Sequence, residues 1–247
     1  MAGHSQFANI MHRKGRQDAK RAKMFNKLVR EIMVAAKQGQ PDPAFNPRLR
    51  SAIAAAKAQS VPRDRIERAI KPSDAENKQY DELRFEGFGP GRVAIIVEAL
   101  TDNRNRTAPE MRTLFSKSGG TLGEQGSVGF MFQRVGQILY PLSVGSADAV
   151  LEAAIEAGAQ DASADETQHI IITAPDDLGA VSAALEAKFG DPSESKLIYQ
   201  PTTTTALDLE GARSLMAFLE ALEDHDDVQN VYGNYEIPDD VAAQLGE

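Results

Sequence analysis

The feature that most narrows the fold of this chain is an alternation. From Arg92 to Tyr235, short apolar runs are separated by single stretches of helical period, and glycine closes several of those stretches, as at Gly119-Gly120, Gly158 and Gly190. The runs 93–100, 127–133, 137–142, 169–173, 196–200, 202–207 and 228–235 read as strands. The stretches 107–117, 146–157, 176–189 and 209–222 read as helices. Strands and helices mixed in this way predict an α+β architecture. Residues 92–134 and 202–236 each read β-α-β, which predicts one sheet of split βαβ type formed by both, with the intervening segment inserted as a domain of its own.

The first 72 residues follow a different pattern. Residues 13–37, RKGRQDAKRAKMFNKLVREIMVAAK, form a helix on which Ala22, Phe25, Val29, Ile32 and Ala36 share one face. Arg16, Lys20, Lys23, Lys27 and Arg30 recur on roughly the opposite face, and only Asp18 and Glu31 are acidic. A solvated surface helix usually mixes acids among its bases for i,i+4 pairing. This one presents a nearly uninterrupted cationic row, the pattern of a polyanion-binding face. Asn46 followed by Pro47 starts a second helix and Pro62 a third, so a small three-helix domain is expected. The predicted division is therefore a basic arm and helical domain over 1–72, a linker over 73–85, an α+β domain from 86–135 plus 201–238, and an inserted acidic α+β domain over 136–200.

Charge follows the same division. Residues 1–72 hold 16 Lys and Arg against 5 Asp and Glu, whereas residues 141–247 hold 3 against 22. The net charge of −9 thus averages a strongly dipolar chain, and segregation of this kind marks a basic region that meets a polyanion. Cysteine is absent, which excludes disulfides, thiolate zinc sites and cysteine nucleophiles. No apolar run approaches the length of a membrane span and the N-terminus lacks an apolar signal core, so a soluble cytoplasmic protein without membrane contact is expected.

Candidate contact residues follow from these patterns. Arg13, Lys14, Arg16, Lys20, Lys23, Lys27 and Arg30 form the primary set for nucleic acid. Arg104 and Arg106 form a second set, because TDNRNR leaves a strand and enters a helix N-terminus, where backbone amides favour an anion. Gly87, Gly89 and Gly91 precede a strand rather than follow one, so they punctuate a turn and do not form a dinucleotide loop. The acidic run 223–227 lacks calcium-loop spacing and reads as a solvated helix end. No catalytic residue, metal ligand or cofactor site is expected. A nuclease would need carboxylates or a histidine base beside the phosphate site, and the acids lie far along the chain from the basic row.

In order, AGHS at 2–5, ANI at 8–10, HRK at 12–14, DAKR at 18–21, LVREI at 28–32, RLRSAI at 48–53, EGFGPG at 86–91, LTDNRNRT at 100–107 and SGGTLGEQGSV at 118–128 resemble the YebC family, also called PmpR-type regulators, whose eukaryotic members include a mitochondrial translational activator. The sequence departs from the family pattern at Gln6-Phe7, where Lys-Trp is usual, at Met11, where Lys is usual, and at Pro72-Ser73, where glycines are usual. The resemblance implies a three-domain, non-enzymatic cytoplasmic protein. It further implies a DNA-binding transcriptional regulator or, as the alternative, a ribosome-associated translation factor that contacts ribosomal RNA and relieves stalling.

Overall fold

The computed structural model describes residues 17–71 and 78–245. The helices are α1 (Gln17–Gln38), α2 (Pro47–Ala58), α3 (Arg63–Ile70), α4 (Arg104–Lys117), α5 (Ala147–Ala157), α6 (Leu178–Phe189), α7 (Leu209–Glu223) and α8 (Asp239–Leu245). The strands are β1 (Asp81–Phe88), β2 (Ala94–Thr101), β3 (Thr121–Leu122), β4 (Phe132–Pro141), β5 (Asp161–Ala164), β6 (Gln168–Thr173), β7 (Glu194–Pro201), β8 (Thr205–Ala206), β9 (Val228–Gly233) and β10 (Tyr235–Glu236). The fold class is α+β, and no helix among the described residues is long and apolar enough to cross a membrane. The described residues divide into two compact units, one of residues 17–27, 78–133 and 199–245, the other of residues 28–71 and 134–198.

The first unit holds a four-stranded sheet in the order β3-β1-β2-β9. Strand β1 runs antiparallel to both β2, from Asp81 opposite Thr101 to Phe88 opposite Ala94, and β3, with Gly87 opposite Leu122. Strands β2 and β3 are therefore parallel, joined through α4, with β1 between them, which is a split βαβ arrangement. Strand β9 adds antiparallel to the far edge of β2.

Strand β2 is apolar from Ala94 to Val97 because both of its faces are covered there. On one side Ile95 and Val97 join Met111 and Phe115 of α4 and Leu215, Phe218 and Leu222 of α7. There the Phe115 and Phe218 rings meet edge-on at 4.9 Å. On the other side Ala94 and Ile96 pack with Val128 and Phe132.

Three features of this sheet differ from the expectation. Strand β1 begins at Asp81, inside the stretch read as linker and turn: its alternation is short, Leu83 and Phe85 against Arg84 and Glu86, and runs straight into the glycines at 87, 89 and 91, while Arg84 pairs at 2.6 Å with the buried Glu86 carboxylate. Residues 127–131 turn instead of extending. Amides of Val128 and Gly129 donate to the Glu86 carboxylate at 3.0 and 2.7 Å, and pairing resumes only at Phe132. Of 202–207, only Thr205–Ala206 pairs, parallel to β10 and outside the four-stranded sheet.

The second unit carries a sheet in the order β5-β6-β4-β7, in which β6 runs antiparallel to β4 and to β5, a strand the sequence reading lacked. Its core joins Ile138, Tyr140 and Ile171 to Val150, Ala153 and Ala154 of α5 and Val181 and Leu185 of α6. In the helical part of this unit, Ile32 and Ala36 of α1, Leu49 and Ala52 of α2, and Ile66 and Ala69 of α3 are buried. Asn46 sets the entry to α2, accepting from the Leu49 amide and donating to the Ala35 and Gln40 carbonyls.

Candidate nucleic-acid interface

Helix α1 arises from a run of strong helix formers. Lys20, Lys23 and Lys27, spaced three and four apart, fall on one of its faces. All three amines already hold oxygen. Lys20 Nζ donates to Glu220 Oε1 at 2.8 Å, Lys23 Nζ to the Asp224 carbonyl at 2.8 Å, and Lys27 Nζ to the Glu223 carbonyl. The acceptors sit at the C-terminal end of α7. The last carbonyls of a helix lack partners within it and carry the negative pole of its dipole, so cations are stabilised there.

The environments along the row differ. The hydrogen bond to Glu220 raises the Lys20 pKa, whereas burial lowers that of Lys27 against the pull of Glu223 and Asp226. Nearby, Arg21 stacks its guanidinium 5.2 Å from the centre of the Phe25 ring. Arg30 is half-buried. Arg13, Lys14 and Arg16 lie outside the described residues.

The second candidate pair separates into two roles. Arg104, the first residue of α4, is exposed and makes no hydrogen bond or ion pair among the described residues. Arg106 braces the fold. It reaches the buried Asp227 carboxylate at 2.8 Å and Asp102 at 3.1 Å, and the Thr107 hydroxyl donates to the same Asp227 oxygen at 2.7 Å. Burial pushes the Asp227 carboxyl up, but the Thr107 hydroxyl, the Arg106 guanidinium and the Thr101 hydroxyl outweigh it and hold the carboxyl below the usual range.

Asp227 also lies within 4.8 Å of His225 and Glu110, a set with metal-ligand chemistry. Its geometry is that of a hydrogen-bonded brace. The Asp227 amide donates to His225 Nδ1 at 3.2 Å, which leaves the proton on Nε2 to be donated to Glu110 at 2.9 Å, while Arg106 already supplies the positive charge. Residues 223–227, read from sequence as a solvated helix end, therefore have two structural roles. They receive Lys23 and Lys27, and they anchor α4. Sequence reasoning missed the first role; the one signal that could have suggested it is the opposite charge of the basic helix and this acidic run, which says nothing of the two backbone carbonyls that take part.

Residues 5–76 match the family model described as the TACO1/YebC protein N-terminal domain, and residues 80–235 match that of the TACO1/YebC second and third domain. This chain belongs to the TACO1/YebC family. A solved relative, described as a conserved hypothetical protein Aq1575 from Aquifex aeolicus, superposes with a TM-score of 0.83 at 45% sequence identity, covering 92% of this chain and 95% of its own. Within the TACO1/YebC match, the lysine row lies in the N-terminal domain segment, and both Arg106 and the α7 end that receives the row lie in the second and third domain segment.

Proposed function

We propose that this TACO1/YebC-family chain is a nucleic-acid-binding regulatory protein, acting on DNA as a regulator of transcription, and that it works by binding rather than by catalysing a reaction. The observation that carries this reading is the row Lys20, Lys23 and Lys27, whose amines all engage oxygen acceptors along one helix face. Ammonium to oxyanion is the chemistry of phosphate contact, which supplies affinity and register but no base choice. Arg104, exposed at the start of α4, adds a further cation of the same kind.

Two measurements test the reading. If about five cations of the row each neutralise a phosphate, the logarithm of the duplex-binding constant falls with log salt at a slope of about −4 to −5. Lys20→Glu with Lys27→Glu should weaken binding to every sequence alike and make the slope shallower by about 2. A slope near zero overturns the proposal. Gradient sedimentation of lysate containing wild type or the same double variant separates DNA from the ribosome. Wild type travelling with ribosomal particles, with the variant left at the top, transfers the reading to translation, because ribosomal RNA offers the same phosphates.

A further inference from the structure

The lysine row is not open. Its three described amines are satisfied by a single helix end that offers one carboxylate oxygen and two carbonyl oxygens. That end continues into an acidic run, Glu223, Asp224, Asp226 and Asp227, with His225 among them. We propose that the C-terminal end of α7 is an internal competitor for the lysine row, occupying it in place of phosphate and leaving when nucleic acid binds. This rests on the reading of the row as a phosphate grip.

Three considerations carry the exchange. The first is that the Lys20 contact is cheap to break. The Lys20 and Glu220 side chains are 43% and 51% exposed, and solvent-exposed pairs of this kind contribute little to stability. The second is compensation of charge. Lys23 and Lys27 now donate to neutral carbonyls, and a phosphate oxygen would give each a full counter-charge and a stronger hydrogen bond. The third is exclusion. Glu220, Glu223 and Asp224 would stand directly against an arriving polyanion, so nucleic acid and the α7 end cannot share the row. Binding is thereby a swap, and weak or short polyanions fail to displace a partner that is always present at the site.

The test uses the full chain and a duplex DNA probe. A zero-length carbodiimide joins an amine to a carboxylate only when they touch, so Lys20 should couple to Glu220 in the free protein, and saturating duplex should reduce that product several-fold. In parallel, Glu220→Gln, Glu223→Gln and Asp224→Asn together neutralise three exposed side chains and should tighten duplex binding by about tenfold with an unchanged salt slope. Wild type that binds duplex in a Lys20-dependent way, with no gain in the neutralised variant and no loss of cross-link at saturation, overturns the exchange and leaves the proposed function standing. Failure of both wild type and neutralised variant to bind overturns the two together.

Discussion

Glu86 shows how one residue can set the path of a long segment. It is 1% exposed, pairs with Arg84 and accepts from the amides of Val128 and Gly129. The turn before β4 is thus tied to a strand more than forty positions earlier in the chain. Burial pushes this carboxyl up, yet the amides of Val128, Gly126 and Gly129 together with Arg84 outweigh it and hold it below its ordinary value of 4.5. The folded state therefore holds the Glu86 proton less tightly than the unfolded chain. Its contribution to stability is present above 4.5 and is lost as pH falls through the lower, folded value. Glu86→Gln should cost about 2 kcal/mol near neutral pH, since Arg84 loses its counter-charge and two amides lose a charged acceptor. The acid side of its stability profile should also be shallower than that of wild type. Urea titrations at a series of pH values read both effects, and an acid limb unchanged by the substitution removes Glu86 from the account.

At the scale of elements, the pairing of β1 with β3 depends on the absence of a side chain at Gly87. A Cβ there would fall on the Thr121 carbonyl oxygen and the Phe115 ring, the first of which belongs to backbone that cannot turn aside. Gly87→Ala should cost about 1–3 kcal/mol by overpacking and loosen β3 in hydrogen exchange. Full protection at Leu122 in that variant would show that β3 adjusts without strain. The same pair of strands shows where sequence reading reaches and where it stops. The α+β class, helix α4 with its glycine end and helix α7 were legible, because apolar period and glycine stops are local signals. Strand β1 was not, since only Leu83 and Phe85 alternate with Arg84 and Glu86 before the glycine-rich turn signals take over, and the strand expected at 127–133 is reduced to its last residues because the Val128 and Gly129 amides go to Glu86 instead of a neighbouring strand. The candidate site divides likewise. The lysine row was legible from its spacing, whereas the carbonyls that receive it belong to a segment some two hundred positions away and leave no local trace.

Across the whole molecule, the two sheets have separate cores, one around Phe115 and Phe218 and one around Ile138 and Leu185. Leu215→Ala in the first and Leu185→Ala in the second each remove a fully buried side chain and should each cost about 3 kcal/mol. Native-state hydrogen exchange should show the first substitution exposing amides of β2 and the second those of β6. Equal loss in both sheets from either substitution would instead mean that the chain opens as one cooperative body. The order of the strands carries a further consequence, in time. Strand β2 ends at Thr101, but β9, which covers its far edge, begins at Val228. A ribosome adding about 5–20 residues per second takes roughly ten seconds to cross that gap. Throughout that interval the nascent protein carries an apolar strand with one unpaired edge, and all four strands of the later sheet have been synthesised before the earlier one is closed.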